Sequence, residues 1–226
     1  MIIIENLLSK DEVAQFRAQL AHVPFVDGKG TAMGMAAGVK NNGQADAQHE
    51  QVKQLANALL AKLGNHPQVV SGALPHRIFP PCFNRYSESQ TYGYHVDAAI
   101  MRIPSTPDVL RSDMSMTVFL SELNEYEGGE LVIQTGFGEQ HIKCEAGSAV
   151  LYPSSSLHKV TPVTQGERIA AITWMQSMVS DQQMRENLYQ LDQSIQSLIN
   201  SDSASREQLD QLHHIYHNLI RKFAVV

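Results

Sequence analysis

A chain of 226 residues with 17 Lys and Arg against 23 Asp and Glu, net charge −6, lacks the clustered positive charge that neutralises nucleic-acid phosphates, so no nucleic-acid partner is expected. Its two cysteines, Cys82 and Cys144, allow at most one bridge, which argues against a disulfide-scaffolded secreted domain and for reduced thiols. At this length one core, or one core with a helical appendage, buries roughly 70% of the unfolded surface without external staples.

The first twelve residues carry a short apolar run with no basic leader and no small-residue cleavage site, so neither a signal peptide nor a membrane span is expected, and the cytoplasm is the default location. Ser9 and Glu12 have the spacing of a capping box, and Val13, Phe16 and Leu20 follow at helical intervals, predicting a helix over 10–21 that lies on a sheet. The segment from Asp27 to Gln44 holds five glycines, Gly28, Gly30, Gly34, Gly38 and Gly43, with Met33, Met35 and Lys40 and no sustained period. It reads as a loop or irregular hairpin, either a lid over a site or a plain connection. Val52, Leu55, Leu59 and Leu63 predict a second helix, stopped by Gly64.

From about residue 68 the period changes to two. Strand-like runs are expected at 68–74, 77–86, 92–100, 114–121, 130–134, 139–143, 148–152, 157–163 and 167–175, divided by Pro80-Pro81, Gly128-Gly129, Gly136, Gly147, Pro153 and Gln165-Gly166. Many short strands at this spacing predict a sandwich, barrel or jelly roll. After Ser180 the pattern reverts to helix, first Met184, Leu188, Leu191, Ile195 and Leu198, then Leu209, Leu212, Tyr216, Leu219 and Phe223. Asn200 to Ser205 form the turn, and Ser205 and Gln208 a second capping box. The apolar seam of this hairpin either covers the open end of the β domain or meets the hairpin of another copy, the one route to a homo-oligomer that the sequence offers. His213 and His217, four apart, lack a third ligand at useful spacing and read as exposed side chains.

Chemistry concentrates in the run Tyr92 to Ile100. On a strand, His95 and Asp97 project from one face with Gly93 and Ala99 beside them. An imidazole and a carboxylate so placed are two thirds of the facial set that holds non-haem Fe(II) and leaves the opposite positions open; the plain alternative is a solvated strand face. A jelly roll brings distant strands together, so the third ligand is expected late in the chain, at His141 or His158. His141 lies in a polar run, whereas His158 opens a strand after the apolar stretch Ala146 to Pro153 and a polar turn, which favours His158. If 157–163 and 167–175 form a hairpin, Arg168 stands opposite Val163, roughly 16 Å from His158 along the sheet. An extended arginine with its planar fork suits the far carboxylate of a diacid held in that gap.

His95-x-Asp97, His158 and Arg168, together with Asn84-Arg85-Tyr86, Tyr92 to Ala99, Glu127-Gly128-Gly129-Glu130-Leu131 and Ala146 to Pro153, resemble the Fe(II)- and 2-oxoglutarate-dependent dioxygenases, in particular the bacterial PKHD-type hydroxylases. The resemblance extends over nearly the whole chain. It implies an α+β fold: a double-stranded β-helix (jelly-roll) core at about 78–178 within a 1–178 dioxygenase domain, N-terminal helices, and a helical hairpin at 180–226. It implies that His95, Asp97 and His158 bind Fe(2+), that Arg168 binds the distal carboxylate of 2-oxoglutarate with Tyr86 nearby, and that L-ascorbate serves as an accessory. The partners would be O2 and a small-molecule or protein substrate. Two other classes are compatible with such a fold, a non-catalytic jelly-roll module that senses iron or a diacid, and an O2-independent metal-assisted lyase or isomerase.

Overall fold

In the computed structural model, which describes residues 1–32 and 34–225, the first helix is Lys10–Leu20. Met33 of the glycine-rich segment and Val226 at the end of the hairpin lie outside the described residues. The expected capping box is present: Ser9 Oγ accepts from the Glu12 N–H at 3.2 Å, and Glu12 Oε2 accepts from the Ser9 N–H at 2.7 Å. Val13, Phe16 and Leu20 bury against the same core as Val52, Leu55, Leu59 and Leu63 of the helix Glu50–Asn65. Each such side chain contributes about 1.5–3 kcal/mol when taken wholly out of water, so the two helices are held mainly by this stripe.

Their platform is an eight-stranded antiparallel sheet ordered Ile2–Ile4, Ala149–Pro153, Met114–Phe119, Arg168–Ser177, Cys82–Tyr86, Gly43–Ala45, Phe25–Asp27, with Pro75–Ile78 also on Arg168–Ser177. A five-stranded sheet, Gly138–Ile142, Leu131–Thr135, His158–Val160, Thr91–His95 and Lys40–Asn41, faces it. Alternation decides what lies between them. Along Met114–Phe119, Met114, Met116 and Val118 join the helix-side core, while Ser115 and Thr117 line an internal cavity and Phe119 packs with Leu131, Ile133 and Tyr152 from both sheets. These facing sheets are the expected double-stranded β-helix.

Four expectations need correction. The run 68–74 is the helix Pro67–Ala73, not a strand, and Gly64 does not stop the preceding helix, which continues to Asn65. Pro67 explains both: it drives His66 to an extended conformation (ψ 122°), ending one helix, and itself starts the next at its first position. The run 92–100 is broken. Its ladder ends at His95, residues 96–99 leave the sheet, and Ile100–Arg102 pairs separately with Val109–Arg111.

The hairpin expected around Gln165-Gly166 does not form either. His158–Val160 belongs to the five-stranded sheet, Val163–Gly166 pairs with Tyr126–Gly128, and Arg168–Ser177 crosses into the eight-stranded sheet. Arg168 therefore stands in register with Tyr86, not Val163.

The C-terminal helices are Gln182–Asn200 and Arg206–Phe223, the second opened by the Ser205–Gln208 capping box. Leu188 packs with Leu74, Val179, Met184, Tyr216, Leu219, Ile220 and Phe223, so the seam is spent within the chain. Buried Arg185 holds the joint, its Nη1 donating to Val179 O (2.7 Å) and Ser180 O (2.8 Å). The hairpin leans on the helix Pro67–Ala73, and none of its described residues lines the internal cavity, so these do not close the open end of the β domain. Among the described residues, no helix is long and apolar enough to cross a membrane.

Candidate active site

The five-stranded sheet places His95 and His158 on neighbouring strands in direct register. Their ring centroids are 4.2 Å apart, and both side chains are buried. Each ring is fixed by its own chain. Nδ1 lies 2.8 Å from Gly93 O in His95 and 3.0 Å from Ser156 O in His158, contacts that place the ring proton on Nδ1 and leave the Nε2 lone pair free. The Tyr92 ring stacks on His95 (centroids 3.6 Å, 12°), and Tyr152 meets His158 edge-on at 5.2 Å.

Asp97 reaches this pair because the chain leaves the ladder after His95. The departing segment is pinned by Ser112, whose hydroxyl donates to Ala98 O and whose N–H donates to Ala99 O at 2.9 Å. Asp97 Oδ1 is then 4.0 Å from His95 Nε2, and Oδ2 is 3.8 Å from His158 Nε2. These distances are too long for hydrogen bonds; the three groups each point a donor atom at one shared space, with all three atoms within 4.8 Å of one another. Ser115 Oγ, from the facing sheet, donates to Asp97 Oδ2 at 2.6 Å and is 2.7 Å from Ser154 Oγ. His141, the other histidine considered, lies on the outer face bonded to Glu130 at 2.7 Å, and His213 and His217 lie on the hairpin, away from this group.

Burial, aided by neighbouring His158, holds His95 well below the usual histidine range, against smaller upward pulls from Gly93 O and Asp97. A neutral imidazole is the form that donates to a metal. Two buried imidazole nitrogens and the oxygen of a half-buried carboxylate, converging on one space, fit a divalent iron with open coordination positions.

Arg168 opens its strand at the other end of the cavity and is 2% exposed. Its guanidinium carbon is 5.3 Å from the centroid of Tyr86 and 5.5 Å from that of Phe119, and its Nε has no hydrogen-bond partner. A buried, orphaned donor on a permanent cation calls for an anion. Burial raises the Tyr86, Tyr126 and Tyr152 hydroxyls, partly opposed by Arg168, so all three stay protonated donors near neutral pH. Gly129, at φ +60°, gives Arg168 its room: a Cβ there would sit 3.1 Å from Arg168 Cδ.

The cavity between these poles has a volume of about 460 Å³ and is lined by His95, Asp97, His158, Tyr86 and Arg168, so the five residues singled out in the sequence come together. Lys40 and Gln44 of the glycine-rich segment also line it, which makes that segment part of the wall. Ser115 is a residue the sequence reading lacks; its signal is the alternation of polar Ser115 and Thr117 with apolar Met114, Met116 and Val118 along a buried strand. Cys82 lines the cavity too, but burial pushes its thiol up to about 11, which keeps it protonated and unreactive.

Residues 81–176 match the family model of the 2OG-Fe(II) oxygenase superfamily, and residues 181–224 match that of the PKHD-type hydroxylase C-terminal domain. Fold and match together define a 2-oxoglutarate- and Fe(II)-dependent oxygenase. A PKHD-type hydroxylase of Alteromonas mediterranea is 82% identical over 226 residues, 100% of each chain, and one of Shewanella frigidimarina is 68% identical over 223 residues, 99% of each. The chain belongs to the PKHD-type hydroxylases. Among solved structures it shares the fold of a Pseudomonas putida prolyl-4-hydroxylase, with TM-score 0.52 and 20% identity over 78% of this chain and 91% of that one.

The hydroxylase, and neither the non-catalytic module nor the O2-independent lyase or isomerase, is therefore the class that holds. The protein is a dioxygenase that uses Fe(II), O2 and 2-oxoglutarate to hydroxylate a substrate, yielding succinate and CO2.

Proposed function

We propose that His95, Asp97 and His158 hold the iron of this hydroxylase, and that Arg168, with Tyr86, receives the distal carboxylate of 2-oxoglutarate. The observation that carries this reading is the convergence of two histidines and an aspartate at one end of a cavity whose other end is a buried guanidinium with an unpartnered Nε. Iron and 2-oxoglutarate, when bound, would supply the oxidising chemistry, in which the diacid loses CO2 and takes up one oxygen atom of O2 to become succinate while the other oxygen atom passes to a C–H bond of the substrate.

The protein's own part is positional. Gly93 O and Ser156 O keep both Nε2 atoms unprotonated and aimed inward, and Ser115 turns the Asp97 carboxylate. Arg168 supplies a rigid donor fork that sets the diacid's direction, with the neutral Tyr86 hydroxyl beside it. Apolar walls from Leu131, Val160, Ile172 and Trp174 keep bulk water from the reacting groups.

L-ascorbate belongs to this reading as the reductant that restores iron oxidised in unproductive turnovers; its support is the family resemblance. A cytoplasmic location accords with the two free thiols. The division into a 1–178 dioxygenase domain and a 180–226 hairpin is supported by the two family models, which part between residues 176 and 181. For the hairpin, packing within its own chain supports an intramolecular role over assembly with a second copy.

Succinate formation tests the assignment. It is expected to require added Fe(II), 2-oxoglutarate and O2, and to fall to background in Asp97→Ala while the far-ultraviolet circular dichroism is unchanged. Full turnover by a folded Asp97→Ala protein overturns it.

A further inference from the structure

Lys40 is 4% exposed, lines the cavity and takes part in none of the ion pairs among the described residues. Burying an ammonium costs more than neutral hydrogen bonds return, so such groups are ordinarily paired with an anion. Here the partners are neutral: Nζ donates to Thr31 Oγ1 at 2.7 Å and to Gln44 Oε1 at 3.3 Å. An ammonium has three N–H groups, so one is left for a guest in the cavity that this side chain lines.

Its place in the cavity separates it from Arg168. Lys40 is in register with Tyr92, whose ring is 5.4 Å from Nζ and is the ring that stacks on His95. Its Nζ meets Gln44, which is in register with Asn84 of the strand Cys82–Tyr86, whereas Arg168 is in register with Tyr86 at the end of that strand. Two residues of strand separate those two rows, about 7 Å. The cavity thus has two buried cations at different levels, one already read as the seat of 2-oxoglutarate. The other, Lys40, meets Thr31, Gln44 and the Tyr92 ring, and the lining of the same cavity also includes Phe79, Met101 and Trp174.

We propose that Lys40 is the substrate-recognition group, and that it pairs with the carboxylate of a small organic acid whose apolar body lies along the Phe79, Met101 and Trp174 wall. This rests on the reading of His95, Asp97 and His158 as the iron site, because the Tyr92 ring then sets the acid beside the oxidising centre. One ammonium with one free N–H matches a singly charged acceptor. A phosphate dianion calls for more donors, and the remaining basic residue of the lining, Arg102, is exposed. On that reading 2-oxoglutarate shares the cavity of about 460 Å³, which favours a small molecule over a bulky chain. Burial lowers the Lys40 pKa, and a bound carboxylate is the partner that reverses this shift.

The test uses the full chain loaded with Ni(II) and 2-oxoglutarate, which binds without turning over, titrated calorimetrically with 3-phenylpropionate and with its neutral isostere 3-phenylpropionamide. The acid is expected to bind at least about tenfold more tightly than the amide, and Lys40→Met, which keeps the aliphatic stem, to abolish that preference. Lys40→Gln serves as the second variant should the first fail to fold. Equal affinity of the wild type for acid and amide, no binding of the acid at millimolar concentration, or a preference retained in both variants overturns the proposal.

The affinity for 2-oxoglutarate separates this proposal from the reading on which it rests. Loss in Arg168→Met but not in Lys40→Met upholds the iron and diacid site whatever becomes of Lys40. Loss in Lys40→Met alone overturns both assignments.

Discussion

Ser115 Oγ donates a 2.6 Å hydrogen bond to Asp97 Oδ2, so the one carboxylate of the metal-binding group is aimed from the sheet opposite the one that carries both histidines. Ser154, 2.7 Å from the same hydroxyl, completes the chain. In Ser115→Ala the carboxylate is free to rotate, and the affinity for Fe(II), or Co(II) as a spectroscopic substitute, is expected to fall by about 10–100-fold with the fold retained. An unchanged metal-binding isotherm would remove Ser115 from the site.

Arg168 yields a second prediction. Lysine at this position keeps the charge but loses the planar fork, so Arg168→Lys is expected to weaken 2-oxoglutarate by about 10–100-fold, measured calorimetrically on the Ni(II)-loaded protein, with metal affinity unaltered. Equal weakening of both ligands would mean that the substitution acts through the fold instead.

Gly129 is where backbone and site meet. A methyl group there would be 3.0 Å from Val163 Cγ2 and 3.1 Å from both Arg168 Cδ and Tyr126 Cδ2, at a φ that L-residues disfavour. Gly129→Ala is expected to cost about 1–3 kcal/mol in urea unfolding and, by moving Arg168, to weaken 2-oxoglutarate as well. Lost stability with unaltered 2-oxoglutarate binding would show that the neighbours give way without disturbing Arg168.

Acid should destabilise the metal-free protein through His95. Its folded pKa is depressed below the usual 6.5, so below pH 6.5 the unfolded chain binds the proton that the folded chain refuses, and stability falls with pH until the folded pKa, about 4, is reached. Above pH 6.5 this contribution is flat. At pH 5 the loss is about 2 kcal/mol relative to pH 7, read as the difference between wild type and His95→Gln in urea midpoints. Parallel pH curves for the two proteins would contradict it.

Leu188 tests the hairpin. Wholly buried among Leu74, Val179 and the second C-terminal helix, it should cost about 2–5 kcal/mol as Leu188→Ala and expose residues near 180 to limited proteolysis. Binding of 2-oxoglutarate should persist, because the hairpin does not line the cavity.

What the sequence disclosed follows the range of the forces involved. Both capping boxes and the apolar stripes of four helices are local patterns, and they appear where the spacing puts them. Pro67 was an equally local signal, yet the apolar run after it has the composition of a strand as much as of a short helix, so 68–74 was misassigned. His95, Asp97, His158 and Arg168 were legible as residue types at telling separations. The route by which Arg168 reaches the cavity was not, because it depends on which sheet the chain enters after Gly166, a choice made by partners more than fifty residues away. Ser115 and Lys40 carry their meaning only through what they face.

The strand Arg168–Ser177 ties Pro75–Ile78, Cys82–Tyr86 and Met114–Phe119 into one sheet. During synthesis those three segments emerge well before the piece that joins them, so the large sheet stays in separate parts until residue 177 has left the ribosome. Arg168, and the wall that carries Ser115, are set opposite the two histidines only at that late moment. A nascent or truncated chain should therefore acquire neither iron nor the diacid, which confines oxidising chemistry to molecules that have finished folding.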